Sequence, residues 1–173
     1  PVHGFAPAAR FTVAERQADR VCLELADDAA TRDCYPFAFR LSVEWRLAPD
    51  RLGCTIAVGN PGGRALPYAT GLHPGFCWPL AGAPRDGHRI RFERQQRTDV
   101  PVIAPGGLFS ARRRPVPLRG GVELAVGDAL FAEDALCFLD TAGHRVRYDN
   151  GRGAAILVDA PDFPHTALWS RPG

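Results

Sequence analysis

Histidine is the side chain best suited to acid–base chemistry near neutral pH, and the chain has five of them. His73 has the most unusual surroundings, because it lies in the segment Gly71–Phe76 with a proline directly after it. Pro74 favours an extended backbone at His73, and the flanking glycines allow the chain to turn closely around the imidazole. This setting suits a general acid that is held in place while a ligand arrives. A histidine packed in a tight turn explains the same local sequence equally well.

Other titratable side chains have less distinctive surroundings. His3 stands close to the start of the chain, where the apolar residues that follow it are unusual for a terminal tail. His88 and His144 each follow a glycine and precede an arginine, so we expect both in solvated loops. Asp134 comes just before an apolar segment, where its carboxylate would either accept hydrogen bonds from sugar hydroxyls or end a turn.

The basic run Arg112–Arg114 lies in a proline-rich stretch. Such a run usually forms a solvated surface. Phosphate binding is the alternative, since a guanidinium can bind phosphate through two hydrogen bonds, but no glycine-rich phosphate loop is nearby. The sequence also lacks the G-x-S-x-G, P-loop and H-E-x-x-H motifs. Its five cysteines include no C-x-x-C pair, so we expect reduced thiols, a cytoplasmic location and no metal site.

The elements that must position these residues are strands. Phe37–Leu47 alternates apolar and polar residues, which is the pattern of a strand with one buried face. Shorter segments of this kind, each bounded by turn-forming residues, are Val21–Leu25, Leu52–Val58, Arg89–Glu93, Gly121–Val126, Ala135–Leu139, Arg145–Tyr148 and Ala154–Val158. No segment sustains a helical apolar stripe over three turns. We therefore predict an all-β fold, favour a sandwich over a single sheet, and interpret Thr98–Gly121 as a long connection.

Composition sets the class of the protein. Its 173 residues are 46% hydrophobic and 23% charged, as in a soluble globular domain, and no linker divides them, so we predict one domain over residues 1–173. A net charge of +2 gives no strong field for nucleic acid or an anionic membrane. No apolar run approaches the roughly 18 residues that span a bilayer. The chain contains no methionine, so we expect it to be processed or to be part of a longer protein.

Several separated segments together resemble one family, the aldose 1-epimerase or galactose mutarotase-like proteins. They occur in the order found in the family and are distributed over nearly the whole chain. The G-x-H-P-x-F segment that contains His73 is the most specific of them. The matching segments are His3–Ala6, Tyr35–Phe37, Val58–Asn60 with Leu66–Tyr68, Gly71–Leu80, Leu130–Ala135 and Leu168–Gly173.

The resemblance implies a large antiparallel β-sandwich and a cofactor-free reaction that interconverts the α and β anomers of a hexose. A carboxylate base takes the proton from O1 of the sugar while a histidine acid protonates the ring oxygen. By this resemblance the acid is His73. His3 helps to hold the sugar, and Asp134 binds sugar hydroxyls.

The chain also departs from the family pattern. Pro7 follows Ala6 where family members usually have arginine. The family's base is a glutamate just beyond the W-s-x-P-G segment, and its substrate-binding arginine precedes the H-G segment. We therefore expect a sandwich that is truncated at both termini, with its base glutamate beyond Gly173.

Two other functions stay open beside the mutarotase. One is a non-catalytic carbohydrate-binding sandwich, and the other is a hexose-6-phosphate mutarotase in which Arg112–Arg114 would meet the phosphate. The sequence identifies neither the sugar nor the oligomeric state, and it indicates no nucleic acid or membrane partner.

Overall fold

A computed structural model describes residues 3–171, so the last two residues of the Leu168–Gly173 segment lie outside the described residues. Its chain forms two compact units, residues 1–70 and residues 71–173. Antiparallel strands dominate both units, and one short α-helix and three 3₁₀ turns complete the regular structure of the described residues. The all-β prediction is thus confirmed. No helix within residues 3–171 is long and apolar enough to cross a membrane.

The first unit is a four-stranded meander in which each strand pairs with the next along the chain. Its strands are β1 (Thr12–Arg16), β2 (Arg20–Ala26), β3 (Arg40–Ala48) and β4 (Arg51–Gly59). The register places apolar residues of successive strands on one face, in the cross-strand rows Leu25–Leu41–Val58, Leu23–Val43–Ile56 and Val21–Trp45–Cys54. The opposite face carries an ion network in which Arg20 contacts both Glu15 and Glu44. The period-two pattern in the sequence therefore places apolar side chains on one face of this sheet and charged side chains on the other.

A single α-helix, α1 (Ala29–Cys34), connects β2 to β3. It has six residues, too few to show an apolar stripe, so side-chain hydrogen bonds at its N-terminus help to fix where it begins. The Asp28 carboxylate accepts a hydrogen bond from the Thr31 amide, while the Thr31 hydroxyl accepts one from the Asp28 amide. This reciprocal pair is a capping box.

The second unit holds the main hydrophobic core. Its strands are β5 (Arg89–Phe92), β6 (Asp99–Ala104), β7 (Leu108–Pro115), β8 (Glu123–Ala125), β9 (Leu136–Phe138), β10 (Arg145–Asp149), β11 (Ala155–Asp159) and β12 (Thr166–Leu168). One sheet has the order β11-β10-β5-β8, β9 pairs with β12, and β6 pairs with β7. The buried core residues are Ile90, Phe92, Val100, Val116, Leu124, Leu130, Phe131, Leu136 and Phe138.

The interpretation of Thr98–Gly121 as a long connection is wrong. Most of this stretch is the β6–β7 hairpin, which turns at Gly106 and Gly107, both with positive φ. Its prolines are tolerated because the hairpin is a two-stranded sheet, in which every strand has an open edge where a missing N–H costs no ladder bond. Pro101 also lies beside a register shift of the ladder.

Candidate active site

His73 lies in the second unit, in a segment without regular secondary structure that precedes the first strand of that unit. His73 is exposed, and so are all the other residues from Gly71 to Cys77. The segment then enters a loop that begins at the cis peptide bond between Trp78 and Pro79. An exposed side chain at this position can be reached by a small ligand, and the contacts of the neighbouring backbone help to hold the segment in place.

Side chains of the neighbouring strand β10 and its following turn anchor the backbone just after His73. The Tyr148 hydroxyl donates to the Cys77 carbonyl at 3.1 Å, and the Asn150 amide donates to the Leu80 carbonyl at 3.3 Å. Asn150 is buried, and its Oδ1 accepts from two backbone amides of its own turn. The segment that carries His73 is therefore tied to the core sheet within four residues of the histidine.

His88 supplies a third anchor, and the expectation that it is a solvated loop residue is wrong. Its side chain is 1% exposed. The Leu80 amide lies 2.9 Å from Nε2, which must accept, so in the neutral ring Nδ1 carries the proton and donates to the Arg85 carbonyl at 3.0 Å. Both ring nitrogens thus bind the backbone of one loop.

A signal for the burial of His88 was present in the sequence. His88, Ile90 and Phe92 have the same parity, and all three are buried while Arg89 and Arg91 between them are exposed. The alternation of β5 therefore begins one residue before its first ladder residue, and His88 takes an inward position. The glycine and arginine beside it are typical of a surface loop, but the alternation along β5 decides that His88 is buried.

Arg85 and Trp78 close the same loop from outside. The Arg85 guanidinium stacks 3.9 Å from the centre of the Trp78 ring, and the indole Nε1 donates to the Arg85 carbonyl at 3.0 Å. The guanidinium also pairs with Asp128 at 2.5 Å. The Arg85 carbonyl accepts hydrogen bonds from the rings of Trp78 and His88, so residues 78–88 form a closed loop around the imidazole of His88.

Asp134 follows the 3₁₀ turn Asp128–Phe131 and has a left-handed backbone, with φ of 78°. Aspartate is one of the few non-glycine residues that occupy this region readily. Its Oδ1 accepts from the Ala135 amide at 2.7 Å, and the residue is exposed. Oδ1 thus bonds within the turn that Asp134 belongs to, while Oδ2 lies outside that contact.

The structure separates the three arginines of the basic run. Arg114 donates through Nη2 to the carbonyls of Asp134 and Ala135, at 2.9 and 3.3 Å. Arg113 binds the Asp99 carboxylate, and this hydrogen bond is the main reason that the pKa of Asp99 is lowered. Two of the three guanidiniums are therefore bound to their own hairpin or to the Asp134 turn, which leaves little of the run for a phosphate.

A family model for aldose 1-epimerase matches residues 1–145, most of the chain. The chain belongs to the aldose 1-epimerase family. The family resemblance identified from separated segments of the sequence is thereby confirmed. No curated protein matches the chain significantly.

Two solved structures match this aldose 1-epimerase family chain closely in fold. A galactose mutarotase related enzyme from Lactobacillus acidophilus has a TM-score of 0.82 and 25% identity over 97% of this chain. A galactose mutarotase-like protein from Lactobacillus casei has a TM-score of 0.76 and 19% identity over 94% of it. In both cases the match covers 56% of the other chain, so this chain spans little more than half the length of these structures. The galactose mutarotase-like fold prediction is confirmed, and the fold is incomplete in this chain.

Within the family chain, the predicted site residues fall in both compact units. His73 and Asp134 belong to the second unit, and His3 belongs to the first. His3 is exposed and lies two residues before Phe5, whose ring packs 5.5 Å from that of Tyr35. Among residues 3–171, no group of three or more histidine, cysteine, aspartate or glutamate side chains could hold a metal ion.

Two of the family segments in the first unit are joined directly. The Tyr35 hydroxyl donates to the Pro67 carbonyl at 2.6 Å, which ties Tyr35–Phe37 to Leu66–Tyr68. Arg64 adds a second tie between these parts of the chain, since its guanidinium donates to the Pro36 carbonyl. These two family segments are thus also in contact in three dimensions.

Proposed function

We propose that this chain is part of an aldose 1-epimerase that interconverts the α and β anomers of a hexose, with His73 as general acid. The observation that carries the proposal is the family match over residues 1–145, which includes the G-x-H-P-x-F segment with an exposed His73. The anchors at Cys77 and Leu80 support it, because a catalytic acid must be held in place.

In the proposed reaction the sugar ring opens and closes without a cofactor. His73 donates a proton to the ring oxygen as the bond from C1 to that oxygen breaks. A carboxylate base takes the proton from the hydroxyl on C1, and the electron pair of that O–H bond becomes part of the aldehyde. Rotation about C1–C2 and reversal of the two proton transfers then give the other anomer. The family resemblance implies that the base is a glutamate.

Asp134 is proposed to bind sugar hydroxyls in this reaction. A carboxylate accepts hydrogen bonds from hydroxyl groups, and Asp134 is exposed with Oδ2 outside its contact to Ala135. His3 stays a predicted sugar-binding residue, to be tested by His3→Ala. A hexose 6-phosphate is disfavoured as the substrate because Arg113 and Arg114 already bind protein groups.

The proposal is tested by following the anomeric proton signals of freshly dissolved α-D-galactose and α-D-glucose by NMR. The assay uses the complete natural protein that contains this sequence. His73→Ala should lower the rate by about 10²- to 10⁴-fold, the usual contribution of a general acid. His144→Ala, which removes another exposed histidine, should leave the rate unchanged.

The same assay separates the competing functions. Full activity of His73→Ala would overturn the assignment of the acid. Sugar binding without any acceleration by the unaltered protein would assign the chain to a non-catalytic carbohydrate-binding protein. Strong competition by glucose 6-phosphate against free glucose would support a sugar-phosphate enzyme instead.

A further inference from the structure

We infer that Arg114 is a positioning residue that holds the Asp134 carboxylate in its sugar-binding orientation. The inference rests on the proposed function, since it deepens the role given there to Asp134. Arg114 acts through the backbone of the Asp134 turn. It is not proposed to touch the sugar or the reacting atoms.

The geometry of the turn shows what has to be held. Asp134 has φ of 78°, in the left-handed region that aspartate occupies more readily than most other non-glycine residues. One nitrogen of Arg114, Nη2, lies within hydrogen-bond distance of the carbonyl oxygens of both Asp134 and Ala135, at 2.9 and 3.3 Å. A cation that bridges two successive carbonyls restrains the peptide plane between them, which also carries the Ala135 amide.

The carboxylate is oriented by the same peptide unit. Its Oδ1 accepts from the Ala135 amide at 2.7 Å, so the carboxylate and the carbonyl that Arg114 binds belong to one short turn. Rotation of the peptide between Asp134 and Ala135 would break both contacts together. We therefore expect the orientation of Oδ2 to depend on Arg114, although the guanidinium contacts only backbone oxygens.

Arg114 is itself held firmly by the hairpin. It lies on β7 opposite Val100 of β6, and Val100 is 1% exposed. Its neighbour Arg113 points to the other side of the strand and binds Asp99 across the hairpin. The β6–β7 hairpin thus presents Arg114 from a fixed backbone to the turn 20 residues further along the chain.

The test measures D-galactose binding to the full chain by NMR titration, with Arg114→Gln, Arg114→Lys and Asp134→Asn as variants. Arg119→Gln is the matched control, since it removes another arginine whose side chain is 84% exposed. Arg114→Gln should raise the Kd about tenfold, as expected when a charged hydrogen bond that orients the ligand group is lost. Arg114→Lys should lie between Arg114→Gln and the unaltered protein, because lysine keeps the charge but not the planar guanidinium.

A second readout separates positioning from general stability. In the complete natural enzyme, Arg114→Gln should raise KM and leave kcat nearly unchanged, because Arg114 contacts no reacting atom. The amide signals of Asp134 and Ala135 should shift in Arg114→Gln and stay in place in Arg119→Gln. Should Arg114→Gln fail to fold, the same comparison is made with Arg114→Lys, whose Kd must exceed that of Arg119→Gln.

The outcomes for the two proposals differ. If Asp134→Asn binds D-galactose as tightly as the unaltered protein, the proposed role of Asp134 is overturned. If Asp134→Asn binds more weakly while the Arg114 variants bind like Arg119→Gln, the inference about Arg114 alone is overturned. A fall in kcat at constant KM for Arg114→Gln would also contradict a positioning role in sugar binding.

Discussion

Replacement of His88 tests most directly whether the loop that follows His73 is anchored from the core. His88→Ala removes the acceptor of the Leu80 amide and the donor to the Arg85 carbonyl. Leaving the Leu80 amide without this acceptor costs about 1–3 kcal/mol, whereas the Arg85 carbonyl keeps its hydrogen bond from Trp78 Nε1. The lost ring adds the cost of a cavity at a side chain that is 1% exposed. We therefore expect His88→Ala to lower the free energy of unfolding of the second unit by about 2–4 kcal/mol.

Native-state hydrogen exchange is the suitable assay, because it reports on each unit separately. The Phe92 amide of β5 donates to the Val122 carbonyl at 2.9 Å and serves as the probe of the second unit. His88→Phe fills most of the volume without the ring nitrogens, so it should recover part of the loss. His165→Ala is the surface control, with its ring 57% exposed, and should change stability by about 1 kcal/mol or less. Equal effects of His88→Ala and His165→Ala would refute the reasoning.

Two further predictions concern backbone and charge in the same unit. An alanine Cβ at Gly151 would lie 2.9 Å from the Gly87 carbonyl oxygen, whereas at Gly120 it would meet open space. Both glycines have positive φ, so Gly151→Ala should cost roughly 1–3 kcal/mol more in urea unfolding than Gly120→Ala; equal costs would contradict the steric argument. The hydrogen bond from His144 lowers the pKa of Asp159 below its ordinary 3.8. The ionised Asp159 carboxylate therefore stabilises the folded state at neutral pH, and this contribution is lost as the pH falls through the lowered pKa. Carboxyl-carbon NMR should show this pKa rising in His144→Ala.

The strands of this protein were predictable where the alternation was long. The segment Phe37–Leu47 became β3, although the strand begins three residues later, at Arg40. Phe37 lies outside the ladder, where its ring packs 4.9 Å from that of Tyr35 and 4.6 Å below the Arg64 guanidinium. Apolar spacing alone does not distinguish a residue that packs within a sheet from one that packs beside its end.

The β6–β7 hairpin could not be predicted by the same argument. Pro101 and Pro105 argue against a strand in the interior of a sheet, and neither residue reveals that the strand is one of only two. The information that decides the matter is the pairing of β6 with β7, which joins residues up to 16 positions apart. The prolines disfavour a strand locally, but the pairing of β6 with β7 determines the structure of this stretch.

The candidate site shows the same division. His73 and Asp134 are proposed as site residues from motif segments, because their types and neighbours belong to the local sequence. Arg114 is not, since its contact with Asp134 depends on a hairpin that the sequence did not reveal. The burial of His88 is predictable from its alternation with Ile90 and Phe92, whereas its immediate neighbours Gly87 and Arg89 favour a surface loop.

His73 and His88 lie 15 positions apart in one unit, and His73 is exposed whereas His88 is buried. A general acid has to meet its substrate, so it must stay exposed and contributes little to stability. His88 instead binds loop backbone through both ring nitrogens, as a buried polar side chain is expected to do. By the proposed function, His73→Ala should therefore lower the rate of anomerisation by about 10²- to 10⁴-fold with little change in hydrogen exchange. Removing His88 should speed hydrogen exchange in β5 and lower the rate only through the loss of order around His73.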